Sequence, residues 1–150
     1  MDKVRASYVG VDDNFKFKNG ETGRKIFLIL FDETHFLLVK TTSQDGKGRR
    51  SKVPLGCQCP QSSNYFVSTT CEVMQNCMTF DKDTWIQLDE LFLKKKSDIS
   101  EAQIKKSIKS IGYLMPKVLK KLITCASMSV DIREVEAEIL LNAADNIKTD

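Results

Sequence analysis

Histidine is almost missing from this chain: His35 is the only one in 150 residues. An imidazole proton shuttle is therefore open only to groups that gather around position 35. Long apolar runs are missing too. The longest spans residues 26–31, far short of the roughly 20 residues a membrane-crossing helix needs. The opening Met1-Asp2-Lys3-Val4-Arg5 is not followed by an apolar stretch and a small-residue cleavage site. No signal peptide is read, and a cytoplasmic location without membrane contact is expected. Internal repeats and low-complexity tracts are lacking as well.

Cysteine is present, but in odd number: Cys57, Cys59, Cys71, Cys77 and Cys125. Without a secretory signal, an odd count argues against a disulfide framework. Cys57 and Cys59 with Cys71 and Cys77 do not fit the C-x2-4-C spacing of structural zinc sites. Reduced thiols packed as small hydrophobes are expected, with no metal and no other cofactor.

What is there is ordinary for one soluble domain over 1–150: 41% apolar and 29% charged residues. The net charge of +3 is uneven. Residues 1–59 carry 11 basic and 7 acidic groups, and residues 94–121 carry 9 and 2. The intervening and final segments are acidic. Two basic zones suit a surface with one face for an anion.

The apolar run at 26–31 reads as a central buried strand, and Phe36-Leu37-Leu38-Val39 as its antiparallel neighbour. Residues 64–67, 69–74, 78–80 and 84–88 read as further short strands, giving a β-rich part over about 1–93. A polar segment at 44–52 holds Lys47, Arg49, Arg50 and Lys52, the densest cationic loop. From about 97 to 147 the pattern turns helical. Ser100-x-x-Gln103 reads as a capping box, followed by a stripe of Ile104, Ile108, Ile111, Met115, Val118 and Leu122. Gly112 and Pro116 predict a break, and Asp131-x-x-Glu134 a last helix. Strands first and helices last predict an α+β fold: a small, strongly bent antiparallel sheet or barrel with C-terminal helices.

Gly20-Glu21-Thr22-Gly23-Arg24 sits at the mouth of the first strand, and Lys40-Thr41-Thr42-Ser43 ends the second. These segments resemble the two motifs of the MazF/PemK-type toxins, G-x-E-x-x-G-x-R-P before an aliphatic strand and an aliphatic strand ending in Thr-Ser. Val53-Pro54-Leu55 and Thr84-Trp85-Ile86-Gln87-Leu88 are similar to later segments, so the likeness covers about residues 18–92. The proline after the arginine is missing, since Lys25 follows Arg24, and so is the family's opening G-D-I-W-like strand.

The resemblance implies a PemK-like fold and a sequence-specific, metal-independent endoribonuclease toxin. Such an enzyme works as a homodimer on single-stranded RNA and is neutralised by an antitoxin protein. Cleavage would proceed by 2′-hydroxyl attack, leaving a 2′,3′-cyclic phosphate. A guanidinium suits phosphate because it donates two parallel hydrogen bonds and stays charged. Arg24 is the expected catalytic group, with Thr42 donating to the phosphate and Glu21 accepting a proton or orienting Arg24. Thr41 and Ser43, on the alternate face of their strand from Thr42, are expected RNA contacts together with Lys47, Arg49, Arg50 and Lys52. His35 stands about 20 Å from the Thr41–Ser43 cluster along the strand, too far to join it. Two other classes fit the same residues: a non-catalytic small-barrel nucleic-acid-binding module, and a protein-interaction domain whose basic helices meet an acidic partner.

Overall fold

The computed structural model describes residues 3–43 and 55–147. The apolar run at 26–31 lies within β2 (Thr22–Asp32), flanked by β1 (Tyr8–Lys16) and β3 (His35–Thr42). Its alternate residues face opposite sides of the sheet. Leu28 and Leu30 join a large core with Val9, Val39, Ile86 and Leu122. Phe27 and Ile29 join a second core with Tyr8, Phe15, Phe36, Leu38 and Phe92. Burial on both faces explains why the run is apolar without interruption.

The remaining elements are β4 (Gly56–Cys57), β5 (Asn64–Val67), β6 (Thr84–Gln87), β7 (Phe92–Lys95), α1 (Lys96–Ile104), β8 (Ile108–Tyr113), α2 (Pro116–Ser127) and α3 (Glu134–Asp145). The sheet order is β4-β5-β6-β3-β2-β1-β8, with β7 also on β3, and each pairing is antiparallel. The α+β class expected from the element order is what forms. The path is open, ending at β4 and β8, so the sheet is not closed into a barrel.

A strand interrupts the stripe expected to be helical. Ile108 and Ile111 lie on β8, paired with β1, rather than on a helix. Lys106 at φ 63° takes the left-handed conformation that ends the preceding helix. Ile108 is buried at 2% exposure, and its branched Cβ suits the pleat. Ser100 sits inside α1, which begins at Lys96, so its capping box is unused. Residues 69–74 and 78–80 form turns and irregular chain, with one isolated bridge between Met74 and Leu114. Pro116 opens α2, where its missing N–H costs nothing. α3 begins at Glu134, and Glu136 Oε1 accepts from the Arg133 backbone N–H at 3.1 Å.

The cysteines also depart from expectation. Cys57 is disulfide-bonded to Cys125 and Cys71 to Cys77, leaving Cys59 as the free thiol. The Cys57–Cys125 bond ties β4, the sheet edge, to α2. Spacing could not show this pairing because its partners lie 68 positions apart.

Candidate functional site

The end of β3 leads into an open cleft of about 460 Å³. β3 leaves β2 there and pairs with β6, with Thr41 opposite Ile86 and Thr42 opposite Trp85. Directly opposed residues share a face. Thr42 and Trp85 therefore stand together, and Asn64 opposes Gln87 one step further across the β5–β6 ladder. These four side chains form one wall. Trp85 is 3% exposed and packs on Phe66 with ring centroids 4.6 Å apart.

The other wall comes from two connections. Pro60, Gln61 and Ser63 belong to the β4–β5 connection, and Val130 and Asp131 to the α2–α3 connection; Asp89 closes the rim. A short hydroxyl network joins the two. Ser129 Oγ donates to Ser63 Oγ at 2.9 Å, and Ser63 Oγ donates to Asp131 Oδ2 at 2.6 Å. The Asp131 backbone N–H returns to Ser129 Oγ at 3.2 Å. Charge-assisted bonds of this length are among the stronger ones, so the two loops are held as one wall.

The lining can recognise hydrogen-bonding edges. The amides of Gln61, Asn64 and Gln87 each offer donors and an acceptor, while Asp89 and Asp131 are acceptors. Gln87 Oε1 is buried and has no hydrogen-bond partner among the described residues. Leaving such an atom unmatched costs about 1–3 kcal/mol. No imidazole is within reach, because His35 begins β3 at its opposite end, with Nδ1 3.3 Å from Thr34 Oγ1. The serine–aspartate contact therefore lacks the base of a hydrolytic triad.

The expected site residues divide as follows. Arg24 lies on β2, its side chain 70% exposed, with Nε 3.7 Å from Asp13 Oδ1. Glu21 is exposed in the preceding hairpin, its backbone N–H donating to Asn19 Oδ1 at 3.0 Å. Thr42 lines the cleft; Arg24 and Glu21 do not. From the Phe27–Lys40 pair, alternation puts Lys25 on the face of Thr42, and Arg24 on the face of Thr41 and Ser43. Alternation thus sets Arg24 and Thr42 on opposite faces of their strands. Thr41 is 4% exposed and its Oγ1 donates to the Ile26 carbonyl at 3.1 Å. Ser43 is exposed. Lys47, Arg49, Arg50 and Lys52 lie outside the described residues.

Lys25 reaches the Thr41 carbonyl with Nζ at 3.2 Å. Burial, then the neighbouring Lys40 charge, lowers its pKa from the ordinary lysine value. The cleft residues Asn64, Ser63, Gln87 and Asp131 were not anticipated. The period-2 pattern of β6 did carry a signal, since it sets Trp85 and Gln87 on one face. No protein-family model matches the chain, and no curated protein matches it.

Proposed function

We propose that the chain binds single-stranded RNA, with one base held in the cleft between Thr42 and Asp131. The observation that carries this reading is the lining: three amides and two carboxylates beside Trp85 and Thr42. Unpaired bases present in-plane donors and acceptors to such groups. Asp89 and Asp131 disfavour phosphate inside the cleft, so a base edge suits it better than the backbone does. Thr42 stands five positions before Lys47 in a segment that also carries Arg49, Arg50 and Lys52, and phosphates flanking the base would pair with these cations.

The test is fluorescence anisotropy with short single-stranded RNA in EDTA over a salt series. Affinity is expected to fall steeply with salt, as counterions are released. Thr42→Val and Asn64→Ala are each expected to weaken binding roughly fivefold or more, the worth of one lost hydrogen bond near 1 kcal/mol. No binding at low salt, or binding indifferent to both substitutions, rejects the reading.

Cleavage by a PemK-like endoribonuclease is the second reading, favoured by the exposed guanidinium of Arg24. Alternation pairs Arg24 with Ser43 rather than Thr42, so Arg24, Ser43 and Glu21 would be its working set. A homodimer and an antitoxin partner belong to this reading. Incubating the RNA in EDTA and analysing the ends decides it. Cyclic-phosphate ends that vanish in Arg24→Ala support cleavage; intact, bound RNA leaves binding alone.

A further inference from the structure

Three cysteines that the sequence scatters come together behind the cleft. Cys57 lies in β4, Cys59 two positions on in the β4–β5 connection, and Cys125 in α2. Their sulfurs all lie within 4.8 Å of one another. We propose that, when the Cys57–Cys125 bond is reduced, these three thiolates bind one zinc ion and leave its fourth position open.

The geometry is close to what zinc requires. Tetrahedral Zn–S bonds of about 2.3 Å put sulfurs roughly 3.8 Å apart, so the bonded Cys57 and Cys125 sulfurs part on reduction, while Cys59 already lies within about 1 Å of that spacing from each. The Cα atoms of Cys57 and Cys125 are 5.6 Å apart and need little movement. Two backbone segments supply the ligands, Cys57 and Cys59 from the sheet edge and Cys125 from α2.

The chemistry selects a soft or borderline cation. Thiolates prefer Zn²⁺ and Cu⁺ over Mg²⁺ or Ca²⁺. Three thiolates beside the Asp131 carboxylate would be a strongly anionic cluster without a cation. Electrons balance through a dithiol. It passes two electrons and two protons to the Cys57–Cys125 bond and becomes a disulfide itself. Zinc then displaces three thiol protons to solvent. Disulfide and metal therefore exclude each other at one place.

The experiment is cobalt titration of the reduced chain without oxygen, followed by zinc. Wild type is expected to develop thiolate-to-cobalt charge-transfer absorption that saturates at one equivalent and is bleached by zinc. Cys59→Ser, which keeps the Cys57–Cys125 bond when oxidised, is expected to bind at least about tenfold more weakly, since even outer partners of a metal ligand are worth 10–100-fold. Cys71→Ser with Cys77→Ser is expected to bind like wild type. No charge-transfer band, unchanged binding in Cys59→Ser, or loss in the Cys71/Cys77 variant overturns the proposal. Should reduction unfold the chain, zinc is expected to restore its native circular dichroism, because binding then contributes to folding. A chain that stays unfolded in excess zinc also overturns it.

Discussion

Removing the Cys57–Cys125 cross-link gives the most quantitative check on the fold. The suitable variant is Cys57→Ser with Cys59→Ser. Position 57 is exposed, so serine buries no hydroxyl there, and removing Cys59 prevents it from pairing with Cys125 instead. The bond closes a loop with a sequence separation of 68. Chain entropy alone then assigns it about 15 cal/mol/K, or about 4 kcal/mol at room temperature. Cys71–Cys77, with a separation of 6, is worth about 2 kcal/mol on the same basis. The assay is urea denaturation followed by fluorescence of Trp85, the only tryptophan, which is 3% exposed when folded. With a slope of about 2 kcal/mol/M, the variant's midpoint is expected to fall by roughly 2 M. Reducing the wild type should lower its midpoint further, because both bonds open. A variant midpoint equal to that of oxidised wild type would show that the cross-link does not restrain the chain, and the reasoning about β4 and α2 would fail with it.

Gly10→Ala is expected to destabilise by about 1–3 kcal/mol in the same assay, an overpacking cost. Its new Cβ would meet Tyr8 Cε2 at 2.6 Å, Phe27 Cζ at 3.0 Å and the Lys109 carbonyl at 3.2 Å. Thr41→Val is expected to lower stability by about 1 kcal/mol, through the lost bond to the Ile26 carbonyl, without changing RNA affinity. An affinity loss there would return Thr41 to the binding surface. Asp12 gives a pH signature. Burial chiefly raises its pKa from 3.8, although the Asn14 backbone N–H bonded at 2.9 Å opposes this. The folded state then holds the proton more tightly, so the stabilisation is full below 3.8 and is lost as pH rises through the raised value. Urea midpoints of Asp12→Asn measured across that window should lack this decline; a variant that keeps the wild-type slope would place its cause elsewhere.

Local physics made much of the fold readable. An uninterrupted apolar run of strand length has to be buried on both faces, so β2 and its neighbour β3 follow from residues 26–31 and 36–39. Pro116 and the spacing of Val118 and Leu122 do the same for α2. The stretch at 104–111 defeated that reading because isoleucines four and three apart suit either a helix or a strand, and the edge offered by β1 decided for β8. Arg24 and Thr42 were each legible as polar residues at strand ends, but the faces they occupy were not. They depend on which residue of β2 faces which residue of β3, and a shift of one position exchanges the two faces.

From composition and periodicity alone came the α+β class, the central strands, the last two helices and the cationic segment, because each depends on neighbours a few residues away. Tertiary structure decided that the sheet stays open, that β6 joins β3 to build the cleft, and that Cys57, Cys59 and Cys125 meet. Those contacts join residues tens of positions apart, and no local spacing encodes which distant surfaces will cover one another.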